Sequence, residues 1–121
     1  MKNKKVVQTS DINIRIGLNE EKLPVQIDWS ASDNPAGEQA VKAMLLSLFD
    51  ENSKETLKID LWTKEMQVME MDRFFFQTLR ALADTYYRAT QNAEMATQFQ
   101  HFAKYFGEKT GIIKEDGVGK K

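Results

Sequence analysis

The sequence predicts an α+β domain: a four-stranded antiparallel sheet followed by two C-terminal helices packed on one face. Three observations predict it. In the first half of the chain, apolar residues mostly recur at every second position, in short runs broken by polar turns. From Val68 the apolar period lengthens to that of a helix and holds to Phe106. The stretch Glu55–Ala89, ETLKIDLWTKEMQVMEMDRFFFQTLRALADTYYRA, carries a strand directly into the longest helix, and the other segments read as partners of one or the other.

In the first strand Ile12, Ile14, Ile16 and Leu18 alternate with Asp11, Asn13, Arg15 and Gly17, the mark of a sheet with one wet face. Asn19-Glu20-Glu21-Lys22 is a turn. Pro24 opens a second strand, where its missing N–H costs no ladder bond, and Val25, Ile27 and Trp29 share one side. Ser30–Gly37, SASDNPAG, is a connecting loop by its Asn-Pro and Ala-Gly pairs; it lacks the glycines and the lysine of a phosphate cradle. Val41–Phe49 is apolar on both parities and is expected to be a central strand buried on both faces, turning through Asp50–Lys54 into Leu57, Ile59 and Leu61.

Trp62 falls on the other parity, with Lys58 and Asp60. It is read either as a lid over the sheet edge or as a contact with another subunit. Thr63 is the expected cap of the long helix, whose stripe is Val68, Met71, Phe75, Leu79, Leu82, Tyr86 and Ala89. Phe74 and Phe76 flank the stripe about 100° to either side, and Tyr87 extends the Phe76 side. One flank should meet the second helix and leave the other for a partner protein or a second copy. Asn92 caps the second helix, Ala93–Phe106, with the stripe Met95, Phe99, Phe102 and Phe106; Ala96 and Ala103 allow close approach and Gly107 is the expected stop. Residues 1–8 are expected to be a flexible basic start, 9–107 the single domain and 108–121 a flexible tail in which Ile112 and Ile113 dock weakly.

Composition narrows the function. With 121 residues, 41% hydrophobic and 29% charged, the chain can bury a core without staples. It has no cysteine, hence no disulfide framework. Seventeen basic against eighteen acidic residues give no charge surplus for a nucleic acid or an anionic membrane. The N-terminal residues carry a basic flank without an apolar signal core, and no apolar run approaches the ~18 residues of a membrane span. A cytoplasmic location is expected.

Catalytic constellations are missing. His101, the only histidine, projects onto the polar face of the second helix without other ligands spaced to join it. The carboxylate pairs Glu20-Glu21 and Asp50-Glu51 sit in turns, where carboxylates are hydrated and nothing in the sequence forces a raised pKa. A non-enzymatic protein without metal or cofactor is expected.

Three stretches carry a family resemblance: Ile16–Glu20 leading to Asp28-Trp29-Ser30-Ala31; KIDLWTKEM at 58–66; and Phe75–Leu79 followed by DTYYRATQ at 84–91. Together they resemble the gliding-motility-associated GldC family of Bacteroidetes, from about Thr9 to Phe106. The resemblance implies a small cytoplasmic protein supporting the gliding machinery or its linked secretion system, and implies no catalytic residues. In element order the chain is also similar to the SecB export chaperones, which assemble and hold unfolded clients on apolar surface.

An accessory or adaptor protein of gliding motility, acting through protein–protein contacts and as a homo-oligomer, is therefore the expected function. A SecB-like holdase is the alternative, and a small-molecule-binding module or enzyme the third. Trp62, Phe74, Phe76 and Tyr87 are the candidate contact or self-association residues, against the ordinary expectation that each is core.

Overall fold

A computed structural model describes residues 4–114. The element order is β1 (Ile12–Leu18), β2 (Pro24–Ala31), β3 (Gln39–Val41), β4 (Ala43–Phe49), β5 (Thr56–Trp62), α1 (Val68–Thr90) and α2 (Ala93–Lys109). The strands lie in one compact unit within Met1–Met66 and the helices in another within Gln67–Lys121.

The strands pair antiparallel, but not in one four-stranded sheet. They form a three-stranded sheet, β1-β2-β3, and a two-stranded sheet, β4-β5. The expected strand Val41–Phe49 is where the expectation fails. Val41 pairs with Ile27 of β2, whereas Ala43 pairs with Trp62 of β5, so the chain changes partners at Lys42. Near Pro24 the register of β2 slips, between Gly17 and Leu18 of its β1 neighbour, and the β2–β3 ladder ends at Ile27. Beyond that point β5 supplies the partner, and the Thr63 N–H continues the ladder by donating to the Lys42 carbonyl at 2.9 Å. Nor is this strand buried on both faces: Leu45, Leu48 and Phe49 are exposed.

Alternation sets the faces within each sheet. Ile12, Ile14 and Ile16 stand opposite Ala31, Trp29 and Ile27, with Ile27 only 1% exposed at the centre. On β4-β5 the pairs Met44/Leu61, Leu46/Ile59 and Leu48/Leu57 make an apolar face; Ala43/Trp62, Leu45/Asp60 and Ser47/Lys58 make a mixed one. The turns are held as their polar residues foretell. The Asn19 side chain accepts from the Glu21 and Leu23 N–H groups at 2.9 and 3.0 Å. Asp50 accepts from Asn52 and Ser53 at 3.0 and 2.7 Å, which holds its carboxyl below the usual value of 3.8.

The long helix begins later than expected. Thr63 is buried in a turn, and the helix opens at Gln67, whose N–H donates to the Glu70 carboxylate at 3.0 Å. Asn92 caps α2 as its sequence position implies, accepting from the Met95 N–H at 3.1 Å. Gly107 does not stop α2, which runs on to Lys109. The stop is Gly111, at φ 80, with Gly111 N–H to Glu108 O at 3.2 Å and Ile112 N–H to Gly107 O at 2.8 Å. That bond pair is a Schellman cap, and its left-handed position favours glycine. The rest of the expected flexible segments, residues 1–3 and 115–121, lies outside the described residues.

Candidate functional site

The helical hairpin has a seam made of small residues. Ala83 of α1 and Ala96, Ala103 and Gly107 of α2 are buried, together with Phe76. Gly107 is required there: a Cβ built on it would stand 2.6 Å from the Phe76 ring. It is thus the Phe76 flank of α1 that meets α2.

The large apolar residues lie elsewhere. At about 100° per residue, the α1 stripe Phe75, Leu79, Leu82 and Tyr86 is rotated roughly 90° from Phe76 and Ala83. The α2 stripe Met95, Phe99, Phe102 and Phe106 is rotated by the same amount, in the same sense, from Ala96 and Ala103. In two antiparallel helices equal rotation in equal sense brings both stripes to one face. The contacts agree: the Tyr86 and Phe99 rings meet edge to face at 5.5 Å, and Leu79, Met95, Phe99 and Phe102 line one groove of about 330 Å³. This face is open. Phe102 is 51% exposed, Leu82 50% and Phe99 39%.

The opposite face of the hairpin is polar. Arg80, Asp84, Gln100 and Lys104 line a groove of about 450 Å³ with Phe76, Ala103 and Ile113 at its floor. The Arg80 guanidinium sits 5.7 Å above the Phe76 ring, and Arg88 donates to Asp84 at 2.9 Å. Charges of both signs alternate along it, the pattern of a solvated face.

Of the four residues singled out in the sequence, Trp62 stands apart in the strand unit. It is 55% exposed and lines a groove of about 350 Å³ with Leu23, Pro24 and Leu61, rimmed by Asp60, Thr63 and Lys64. Phe74 is half-buried, its ring perpendicular to that of Phe75 at 6.2 Å. Phe76 lies in the seam. Tyr87 is exposed three turns further along the same side of α1, and its carbonyl accepts the Gln91 N–H that closes the helix. The three helical aromatics do not converge, because Phe74 and Phe76 are about 200° apart.

Sequence reasoning missed the accessible set on the helices: Leu82, Phe99 and Phe102. The signal that finds them is the small residues. Ala96, Ala103 and Gly107 recur at seven and four positions and mark where a helix backbone can approach, which displaces the bulky stripe from the seam. Among the described residues no group of three or more His, Cys, Asp or Glu side chains is placed to hold a metal, and His101 is exposed. No described helix is long and apolar enough to cross a membrane. The apolar side chains exposed on both units offer area that burial would stabilise.

Comparison with known families bears on residues 24–112, which match the family model described as gliding motility-associated protein GldC-like. The match runs from the first residue of β2 to the Schellman cap. No curated protein and no solved structure matches the chain.

Proposed function

The chain belongs to the GldC-like family of gliding motility-associated proteins, and from that premise we propose that it is a non-enzymatic adaptor of the gliding machinery or its linked secretion system, working in the cytoplasm through protein contacts. The observation that carries this reading is the family match across both the strand and the helical units. Apolar surface exposed on each unit supports it, since contiguous apolar patches mark interaction sites. The Trp62 groove is the docking position for a folded partner: a large amphipathic aromatic ringed by Asp60 and Lys64 has the composition of an interface anchor.

Deletion and complementation test it. In a gliding bacterium that encodes this chain, deletion is expected to reduce surface spreading, the wild-type gene to restore it, and Trp62→Ala to restore it poorly at equal protein level. Unchanged spreading on deletion would refute the role.

A second reading, a holdase for exported clients, is favoured by the open aliphatic row Leu48, Leu57 and Ile59 on the β4-β5 sheet. A holdase suppresses aggregation of a denatured model protein; failure to do so at molar excess removes this reading and leaves the adaptor.

A further inference from the structure

We propose that the apolar face of the helical hairpin is a homodimer interface, in which two copies stack face to face through a two-fold axis to form a four-helix bundle. The surface is continuous, because the two stripes share one face and meet through Tyr86 and Phe99. Its spacing is that of a bundle seam. Phe75, Leu79, Leu82 and Tyr86 recur at intervals of four, three and four, and so do Met95, Phe99, Phe102 and Phe106. Intervals of four and three are the repeat by which helices interlock at shallow angles. A hairpin presents two such seams side by side, and a second copy of the same hairpin supplies two more.

Size and charge favour the same occupant. Taking about 150–250 Å² for an aromatic side chain, the exposures of this face leave on the order of 600 Å² of apolar surface. That approaches the roughly 800 Å² each partner contributes to a stable interface. The four positions of each stripe are uncharged, with Asp72 and Lys109 at the edges of the face by helical projection and Arg80, Asp84 and Lys104 on the opposite face. A membrane-surface helix would instead carry a surplus of Lys and Arg on its polar side, whereas here the signs alternate. A two-fold interface asks only that the surface complement itself, which an uncharged apolar face does. The inference does not rest on the motility reading, and a dimer without a role in gliding would leave it standing.

Solution mass and cross-linking test it on the full chain, whose lack of native cysteine makes single-site chemistry unambiguous. Light scattering is expected to give about twice 13.9 kDa and Phe102→Glu to give the monomer with its helical circular dichroism retained. Leu82→Cys and Phe102→Cys are each expected to be bridged to their own kind by a short bis-maleimide, and Gln77→Cys, on the opposite face, to remain unbridged. A wild-type monomer across the micromolar range would overturn the proposal. So would a dimer in which Gln77→Cys is bridged and the other two are not, since that places the contact elsewhere.

Discussion

The seam of the helical hairpin and the apolar face beside it divide the hydrophobic residues in a way that size alone would reverse. The seam holds one phenylalanine and otherwise alanine and glycine, yet it is closed. The face holds the bulk of the aromatic and aliphatic volume, yet it stands about half open. Small residues bring two backbones together; large ones hold surface in reserve for something else. The stripe of greatest hydrophobicity in a helix is thus not always the stripe that meets its sequence neighbour.

Substitutions that exchange the character of the two regions break this contrast. The largest effect is expected at Phe76→Ala, which empties the seam; loss of a buried phenylalanine costs about 3–5 kcal/mol, read as a lowered midpoint of urea unfolding followed by helical circular dichroism. Gly107→Ala comes next. Its new methyl would meet the Phe76 ring at 2.6 Å, and overpacking of this kind costs about 1–3 kcal/mol, in spite of the better helix propensity of alanine. Gly111→Ala should cost about 1 kcal/mol by forcing alanine into the left-handed cap. On the open face Leu82→Ser should shift the stability of the isolated chain by no more than about 0.5 kcal/mol, as surface changes do, when unfolding is followed at concentrations too low for association. A larger loss there would show that the face is already packed within one chain.

The smallest effect lies in the strand unit. The Asp50 carboxyl is held below 3.8 by the Ser53 and Asn52 N–H groups. A depressed folded value means that its contribution is present above the unfolded value and is lost as pH falls through the folded one. The stability difference between the wild type and Asp50→Ala should therefore narrow in acid, and a difference independent of pH would show that the carboxylate does not hold the turn.

Much of this architecture is legible in the residues, and the failures have physical causes. Alternation in Ile12–Leu18 and Leu57–Leu61 marks strands because each side chain must choose a face. Asn92 marks a helix start because its side chain can satisfy an orphan N–H. The change of partner at Lys42 leaves no such trace: a residue continuing an extended chain looks alike whether its neighbour is β2 or β5. Gly107 reads as a stop in the sequence because glycine serves both caps and close approach, and only the Phe76 ring decides between them. For the candidate site, parity places Trp62 with Lys58 and Asp60 but does not set its exposure, since Leu48 and Leu57 on the other face are as open, while the open set around Phe102 needs the position of the seam, which depends on α2 as well as α1.

The pairing of elements also fixes an order in time. β1 pairs with β2, β4 with β5 and α1 with α2, each with its successor in the chain. Such local topology folds quickly, and each hairpin can close as soon as its second arm leaves the ribosome. α1 is the exception that must wait. Phe76 and Ala83 stay solvated until Ala103 and Gly107 have emerged. The nascent chain is therefore most prone to stray association between the emergence of α1 and that of α2, and a truncation that removes α2 would make that interval permanent.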